Sequence, residues 1–325
     1  MGQTVDVSVI IPAYKAEKYL PFAIRSALAQ TGVTLEVIIA DDASPTPMAP
    51  VVTEAAAGDA RVRFVRLDEN KGPSGARNAA LDLATGRFVA VLDSDDEFRP
   101  GRLEQMVAAA ETLSADIIVD NLILEAVDAD MGQEPDHLVE TNALSLPMRI
   151  ELATYIDPRE ENATGRHMGY MKPLFRREKM IELDVRYDES LRNSEDYYLV
   201  AELLAQGATM FFCDIAGYVY KIHGGSISQR LSVEQAKAIV DKQARFQTRF
   251  SDLMTGDVGL ACSLRSRAFT NQYVNEAIIE KLKAKDVFGV GELLIKNPAS
   301  IGAVARKFAG IAHRKITGAA ESRFG

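Results

Sequence analysis

Asp93 and Asp95 flank Ser94, and two carboxylates one residue apart can converge on a hard cation that also holds phosphate oxygens. Mg2+ or Mn2+ suits such oxygen donors and reconciles an anionic diphosphate with acidic neighbours. The plainer reading is a solvated acidic loop. A second pair, Asp41-Asp42, can accept hydrogen bonds from a base edge or a ribose. Turn chemistry ahead of Ser44-Pro45 is the alternative. Residues Lys71–Asn78 lead into a helix whose backbone N–H groups and Arg77 can meet a phosphate or brace the carboxylates. Their spacing matches neither G-x-G-x-x-G nor the P-loop, so dinucleotide-binding and ATPase readings lose their main support. Glu195-Asp196 opens a later helix, where acids also favour the helix dipole without any chemical role. Tyr218–Ser228 ends in a polar loop: His223 can ligate a metal or bond a phosphate oxygen, and Lys221 can offset charge. A structural or surface His is the alternative there, and zinc-hydrolase spacings are absent.

These side chains need elements to hold them. Short β-branched runs alternate with helical patterns through the first half, the signature of βαβ units feeding a mostly parallel sheet. Strands are expected at Val7–Ile11, Leu35–Ala40, Val62–Leu67 and Phe88–Leu92, with helices near Lys18–Ala29, Ala49–Ala57 and Gly75–Ala84. The strands are almost continuously apolar, so both sheet faces should be covered. Ligands bind beyond the carboxyl ends of such strands, where Pro12-Ala13-Tyr14, Asp41-Asp42, Glu69–Gly72 and Asp93–Asp96 fall. A further strand reads at Asp116–Val127, followed by an acidic, proline-punctuated insertion from Asp128 to Pro158. Regular patterns return at Met171–Arg177, in a helix from Ser194 to Ala205, in a strand at Thr209–Tyr220 and in helices from Ser232 onward. The expected organisation is a domain over residues 1–228, with halves 1–100 and 101–228, and a C-terminal helical extension over 229–325.

Of the 325 residues, 47% are hydrophobic and 26% charged, which excludes disordered, collagenous and disulfide-framework classes. Lys+Arg 37 against Asp+Glu 46 gives a net charge of −9, the wrong sign for a general nucleic-acid binder. Cys213 and Cys262 lack the spacing of a zinc site or a disulfide scaffold. The N-terminus shows no secretory pattern, and no apolar run reaches the ~18 residues of a membrane span. The expected location is cytoplasmic.

In order along the chain, Val7–Tyr14, Ile39–Ser44, Gly75–Asn78 and Leu92–Asp96 resemble the family 2 glycosyltransferases of the GT-A fold. Glu195-Asp196 extends the likeness to about residue 228. The resemblance implies a GT-A-like α/β sheet flanked by helices and a nucleotide-sugar donor, most commonly a UDP-hexose. It places Pro12, Tyr14 and Asp41 around the base and Asp93 near the ribose or pyrophosphate, with Ser94, Arg77 and Lys221 beside the donor. Asp95, with Asp93 and His223, would hold the Mg2+ or Mn2+. Asp196 would be the general base of an inverting transfer, and Glu195 its positioning partner or an acceptor ligand. A glycan or lipid-linked acceptor, in bacterial exopolysaccharide or other surface-glycan assembly, is also implied. A nucleotidyltransferase acting on sugar phosphates leaves Glu195-Asp196 unexplained, and a phosphatase would carry its D-x-D on the first strand. An inactive sugar-nucleotide or glycan-binding module would have no use for the full set of acids.

From Lys296 to Gly325 six Lys and Arg face Glu321 alone, a local +5 inside a chain of −9. Ile301, Val304, Phe308, Ile311 and Ile316 recur at helical spacing, with Arg306, Lys307, His313 and Arg314 largely off that stripe. Two readings of this basic amphipathic helix stand: its stripe packs on earlier helices or a second subunit, or it lies peripherally on the inner face of the membrane.

Overall fold

Apolar runs that alternate with helical segments do form a sheet covered by helices. The computed structural model describes residues 4–127, 136–139, 141, 144–159, 168–222 and 231–317, the last eight by backbone alone. The chain divides into two compact units, Met1–Glu151 with His167–Ser226, and Leu152–Arg166 with Ile227–Gly325.

In the first unit the strands are β1 (Val7–Ala13), β2 (Leu35–Asp41), β3 (Val62–Arg66), β4 (Phe88–Val91), β5 (Glu97–Phe98), β6 (Ile117–Ala126), β7 (Asp136–His137), β8 (Met148–Arg149), β9 (Leu174–Arg176) and β10 (Met210–Ile222). They join one sheet in the order β3-β2-β1-β4-β9-β6-β10-β5, with β7 on β6 and β8 on β10. Pairs β1/β2, β2/β3, β1/β4 and β6/β10 are parallel, and β9 runs antiparallel to both β4 and β6. Six strands therefore share one direction. The helices here are α1 (Leu20–Leu28), α2 (Ala49–Ala56), α3 (Gly72–Leu83) and α4 (Arg102–Thr112); α6 (Arg177–Glu182) and α7 (Glu195–Ala205) follow later in the chain.

The chain leaves β1 for β2 on one side and returns through β4 on the other, a reversal of strand order that opens a crevice at the carboxyl ends. Pairing between β1 and β4 stops at Ile10 and Val91, while β1 continues beside β2 to Ala13. The Ile10 carbonyl accepts the Leu92 N–H and the Ala13 carbonyl accepts the Asp42 N–H. By alternation Pro12 faces the β4 side, beyond the last pair, where its missing N–H leaves no gap in the ladder.

The second unit holds α5 (Leu152–Ile156), α8 (Val233–Arg249), α9 (Gly256–Lys283), α10 (Val287–Lys296) and α11 (Ile301–Thr317). Division at residue 228 put 152–166 with the sheet. In the structure that segment groups with the helices, because Leu152, Tyr155 and Ile156 are buried and the buried Arg265 donates from Nε to the Ile156 carbonyl at 2.9 Å. Val304 and Phe308 of the C-terminal stripe pack with Val274, Ala277, Ile278 and Leu293. Lys307 donates to Glu276 at 2.9 Å. The described part of the stripe thus takes the packing role, although Ile301 stays 49% exposed; Ile311 and Ile316 carry no described side chains. Among the described residues no helix is long and apolar enough to cross a membrane.

Candidate active site

Four elements converge at the carboxyl end of β4. The chain turns there, the Asp96 N–H donating to the Asp93 carbonyl at 3.2 Å. Helix α3 is pinned at its start and at its middle. Asp42 accepts from the Lys71 and Gly72 N–H groups at 2.7 and 2.8 Å, and Asn78 exchanges two hydrogen bonds with the Tyr187 backbone at 2.9 and 3.1 Å. Gly75 has to be small, since a Cβ on it would lie 2.3 Å from the Lys71 Cβ. Arg77 is thereby aimed into the site. It donates to Asp93 at 2.8 Å and to Glu195 at 2.6 Å, and lies 3.4 Å from Asp196. Ser194, in the left-handed conformation at φ 63°, turns the chain into α7, whose first two residues are these acids.

Lys172 is the part sequence reasoning missed. It is 6% exposed, and its Nζ reaches Asp93 at 2.7 Å and Asp196 at 3.1 Å. Asp93, just beyond β4, and the acid pair of α7 therefore share two buried cations. The available signal was a single charged residue in the apolar run Met171-Lys172-Pro173-Leu174-Phe175. Its backbone is braced from below: Arg102 donates to the Lys172 carbonyl and to Asp120, both at 2.6 Å, and Asp120 also accepts the Gly217 N–H at 3.0 Å. A Cβ on Gly217 would lie 2.6 Å from Arg102, so only glycine fits the irregular stretch of β10 there. Tyr218 completes the brace, its hydroxyl donating to Asp96 at 2.7 Å and accepting the Asp93 N–H at 3.1 Å.

The electrostatics follow from burial and these neighbours. Burial alone would raise the Asp93 carboxyl, but the charges of Lys172 and Arg77 and their hydrogen bonds hold it well below the usual range. Glu195 goes the other way: burial, then the Asp196 charge, push it up against the pull of Arg77. Asp96 is raised by burial and by the charges of Asp95 and Asp93. Burial opposes charge on Lys172 and Arg77, yet the surrounding carboxylates outweigh it and hold both strongly protonated.

The other expected residues divide. Pro12 and the 42% exposed Tyr14 stand at the β1 side of the crevice, and Ser94 and Asp95 are half-buried at the β4 side. Asp41 is fully buried, accepts from the Ser44 and Met48 N–H groups at 2.9 and 3.4 Å and pairs with Arg66, contacts that its turn chemistry supplies. The Lys221 Nζ is held by Glu125 at 2.7 Å and Glu97 at 3.2 Å, two carboxylates on neighbouring strands. His223 lies outside the described residues.

Among the described residues no three His, Cys, Asp or Glu form a group that could hold a metal ion. Both Asp93 oxygens are engaged by cations. Asp95 is the acid whose setting fits a divalent cation, half-exposed and adding to the negative charge that raises Asp96. Mg2+ and Mn2+ can be bound through one or two carboxylates with substrate phosphates and water completing the shell.

The family description "Glycosyl transferase family 2" matches residues 8–178. The chain is 36% identical to "Succinoglycan biosynthesis protein ExoO" of Rhizobium meliloti (strain 1021), over 91% of this chain and 83% of that one. It is 26% identical to the Escherichia coli protein "UDP-Glc:alpha-D-GlcNAc-diphosphoundecaprenol beta-1,3-glucosyltransferase WfaP", over 68% of this chain and 79% of that one. Among solved structures it resembles "Mannosyltransferase PcManGT from Pyrobaculum calidifontis in complex with GDP-Man and Mn2+", with a TM-score of 0.57 and 16% identity over 96% of this chain and 81% of that one. That likeness shows the GT-A fold.

Proposed function

Since the chain belongs to glycosyl transferase family 2, we propose that it transfers a hexose from a UDP-linked donor, with inversion, to a lipid-linked saccharide during surface-polysaccharide assembly. One observation carries the reading: Arg77 and Lys172 join Asp93, at the strand end where a nucleotide diphosphate binds in such sheets, to Glu195 and Asp196. A donor site and a proton acceptor then lie side by side. The UDP donor and lipid-diphosphate acceptor named for the Escherichia coli relative, and the succinoglycan assignment of the Rhizobium relative, support the substrate classes.

Asp196 is the general base. It is the more accessible of the pair, with its side chain 15% exposed, whereas Glu195 is fixed by a 2.6 Å bond to Arg77. The acceptor hydroxyl gives its proton to Asp196 as its oxygen bonds to the anomeric carbon. The bond from that carbon to the diphosphate breaks on the opposite face, and UDP leaves with the electron pair. Arg77 and Lys172 lie where they can shift hydrogen bonds from the acids to the departing phosphate oxygens. Asp95 would hold a divalent cation, with Asp93 close behind it, and that cation would neutralise the diphosphate. Pro12 and Tyr14 border the base.

The test is incubation of the purified protein with a panel of nucleotide sugars, with and without a polyprenyl-diphosphate-linked sugar, Mn2+ and a chelator. Acceptor-dependent UDP release that the chelator stops supports the reading. Formation of a nucleotide sugar from a sugar phosphate, or binding without turnover, overturns it.

A further inference from the structure

Helix α10 buries one apolar face and exposes large apolar side chains on another, where Glu292, paired with Lys296 at 2.6 Å, lies between them. Leu293 is buried, and Val290 and Leu294 pack with it against α9 and α11. Phe288 and Ile295, seven residues and two helical turns apart on the other face, are 95% and 81% exposed. Val287 beside them is 71% exposed, and Leu282 at the end of α9 is 47% exposed. The α9–α10 turn that carries this edge also displays exposed Lys283 and Lys285, while Lys281 pairs with Asp286 and Lys296 with Glu292. From Lys281 to the end, nine Lys and Arg face three Asp and Glu, a net +6 in a chain of −9.

We propose that Leu282, Val287, Phe288 and Ile295, ringed by Lys283 and Lys285, form a docking edge that inserts into the headgroup region of an anionic bilayer. Charge selects this occupant. A second copy would bring Lys283 and Lys285 against a like edge whose acids, Asp286 and Glu292, already hold Lys281 and Lys296. An anionic lipid surface attracts each lysine while the aromatic and aliphatic side chains enter the acyl boundary. The edge differs from the α11 stripe, whose described apolar residues Val304 and Phe308 are packed within the unit. Docking stands apart from the transfer reaction, and it would bring the enzyme to the lipid-linked acceptor proposed above without a membrane span.

The chain contains no tryptophan, so Phe288→Trp installs a single reporter. Titrated with vesicles of phosphatidylcholine and phosphatidylglycerol, the full-length variant should shift its emission to the blue, and high salt should reverse the shift. Vesicles of phosphatidylcholine alone should leave it unchanged. Lys283→Ala with Lys285→Ala should weaken binding about thirtyfold, and Phe288→Glu with Ile295→Glu should abolish co-flotation with circular dichroism intact. No shift with phosphatidylglycerol vesicles overturns the proposal. So does emission already blue-shifted without vesicles, whether a sizing column shows a monomer covered by its own tail or an oligomer covered by a second copy. These readouts need no nucleotide sugar, so they stand or fall independently of the transfer activity.

Discussion

Replacing Lys172 by Met removes the cation between Asp93 and Asp196 while keeping an apolar stem of similar length. The lysine is 7% exposed at its side chain and lies 2.7 and 3.1 Å from the two acids. Removing one partner from a buried pair costs about 3–5 kcal/mol. Arg77 still holds Asp93 at 2.8 Å, so the lower end applies. For a chain of 325 residues that loss lowers Tm by roughly 4–5 °C. The penalty should depend on pH. Asp93 is depressed in the folded protein, so its stabilisation is fully present above the unfolded carboxylate range and is lost only as pH falls through the lower folded value. Without Lys172 burial dominates, the carboxyl rises, and the variant takes up a proton on Asp93 while the parent is still ionised. The gap in stability should be widest near neutral pH and should narrow toward about pH 4. Thermal unfolding followed by circular dichroism at both pH values measures it. An equal loss at both, or none at neutral pH, would refute the ion-pair assignment.

Asp196→Asn should retain UDP affinity in calorimetry yet lose transfer by about 10²-fold or more; normal transfer would move the base to Glu195. Asp95→Ala should leave Tm unchanged, as the residue is half-exposed at a strand end, while the Mn2+-dependent part of UDP affinity disappears. Arg102→Met leaves Asp120 buried and unpaired and should cost about 3–5 kcal/mol. Adding Asp120→Leu should restore much of that stability but not transfer, because the Lys172 carbonyl and the Gly217 N–H still lack their partners; full recovery of transfer would show that the pair serves the fold alone.

Strands buried on both faces announce themselves as apolar runs, and β1 to β4 start at the residues expected and end within a residue or two of them. The acids follow from the same logic, since chemistry in such sheets gathers at carboxyl ends. Strand β9 falls within the expected Met171–Arg177 pattern, but a run of three residues does not show that it inserts antiparallel between β4 and β6 and brings Lys172 to the crevice. Asp41 and Lys221 show a second limit. Residue type and strand-end position are legible, but the pairing with Arg66 in one case and with Glu97 and Glu125 in the other is not. Those partners lie on adjacent strands, and their pairing depends on sheet order.

Acids and cations thus differ in how visible they are. A carboxylate that must meet a ligand is confined to the few residues after a strand or at a helix start, so Asp93, Asp95, Glu195 and Asp196 occupy positions that can be listed in advance. A lysine has a long stem and can serve the same crevice from any element that passes within reach. The need for such cations is still foreseeable, because buried carboxylates are tolerated only when paired. With Arg77 bonded to both Asp93 and Glu195, a further positive charge was required to satisfy Asp93 and Asp196 together. The fold supplies it from Lys172, and Arg102 holds the lysine's backbone in place.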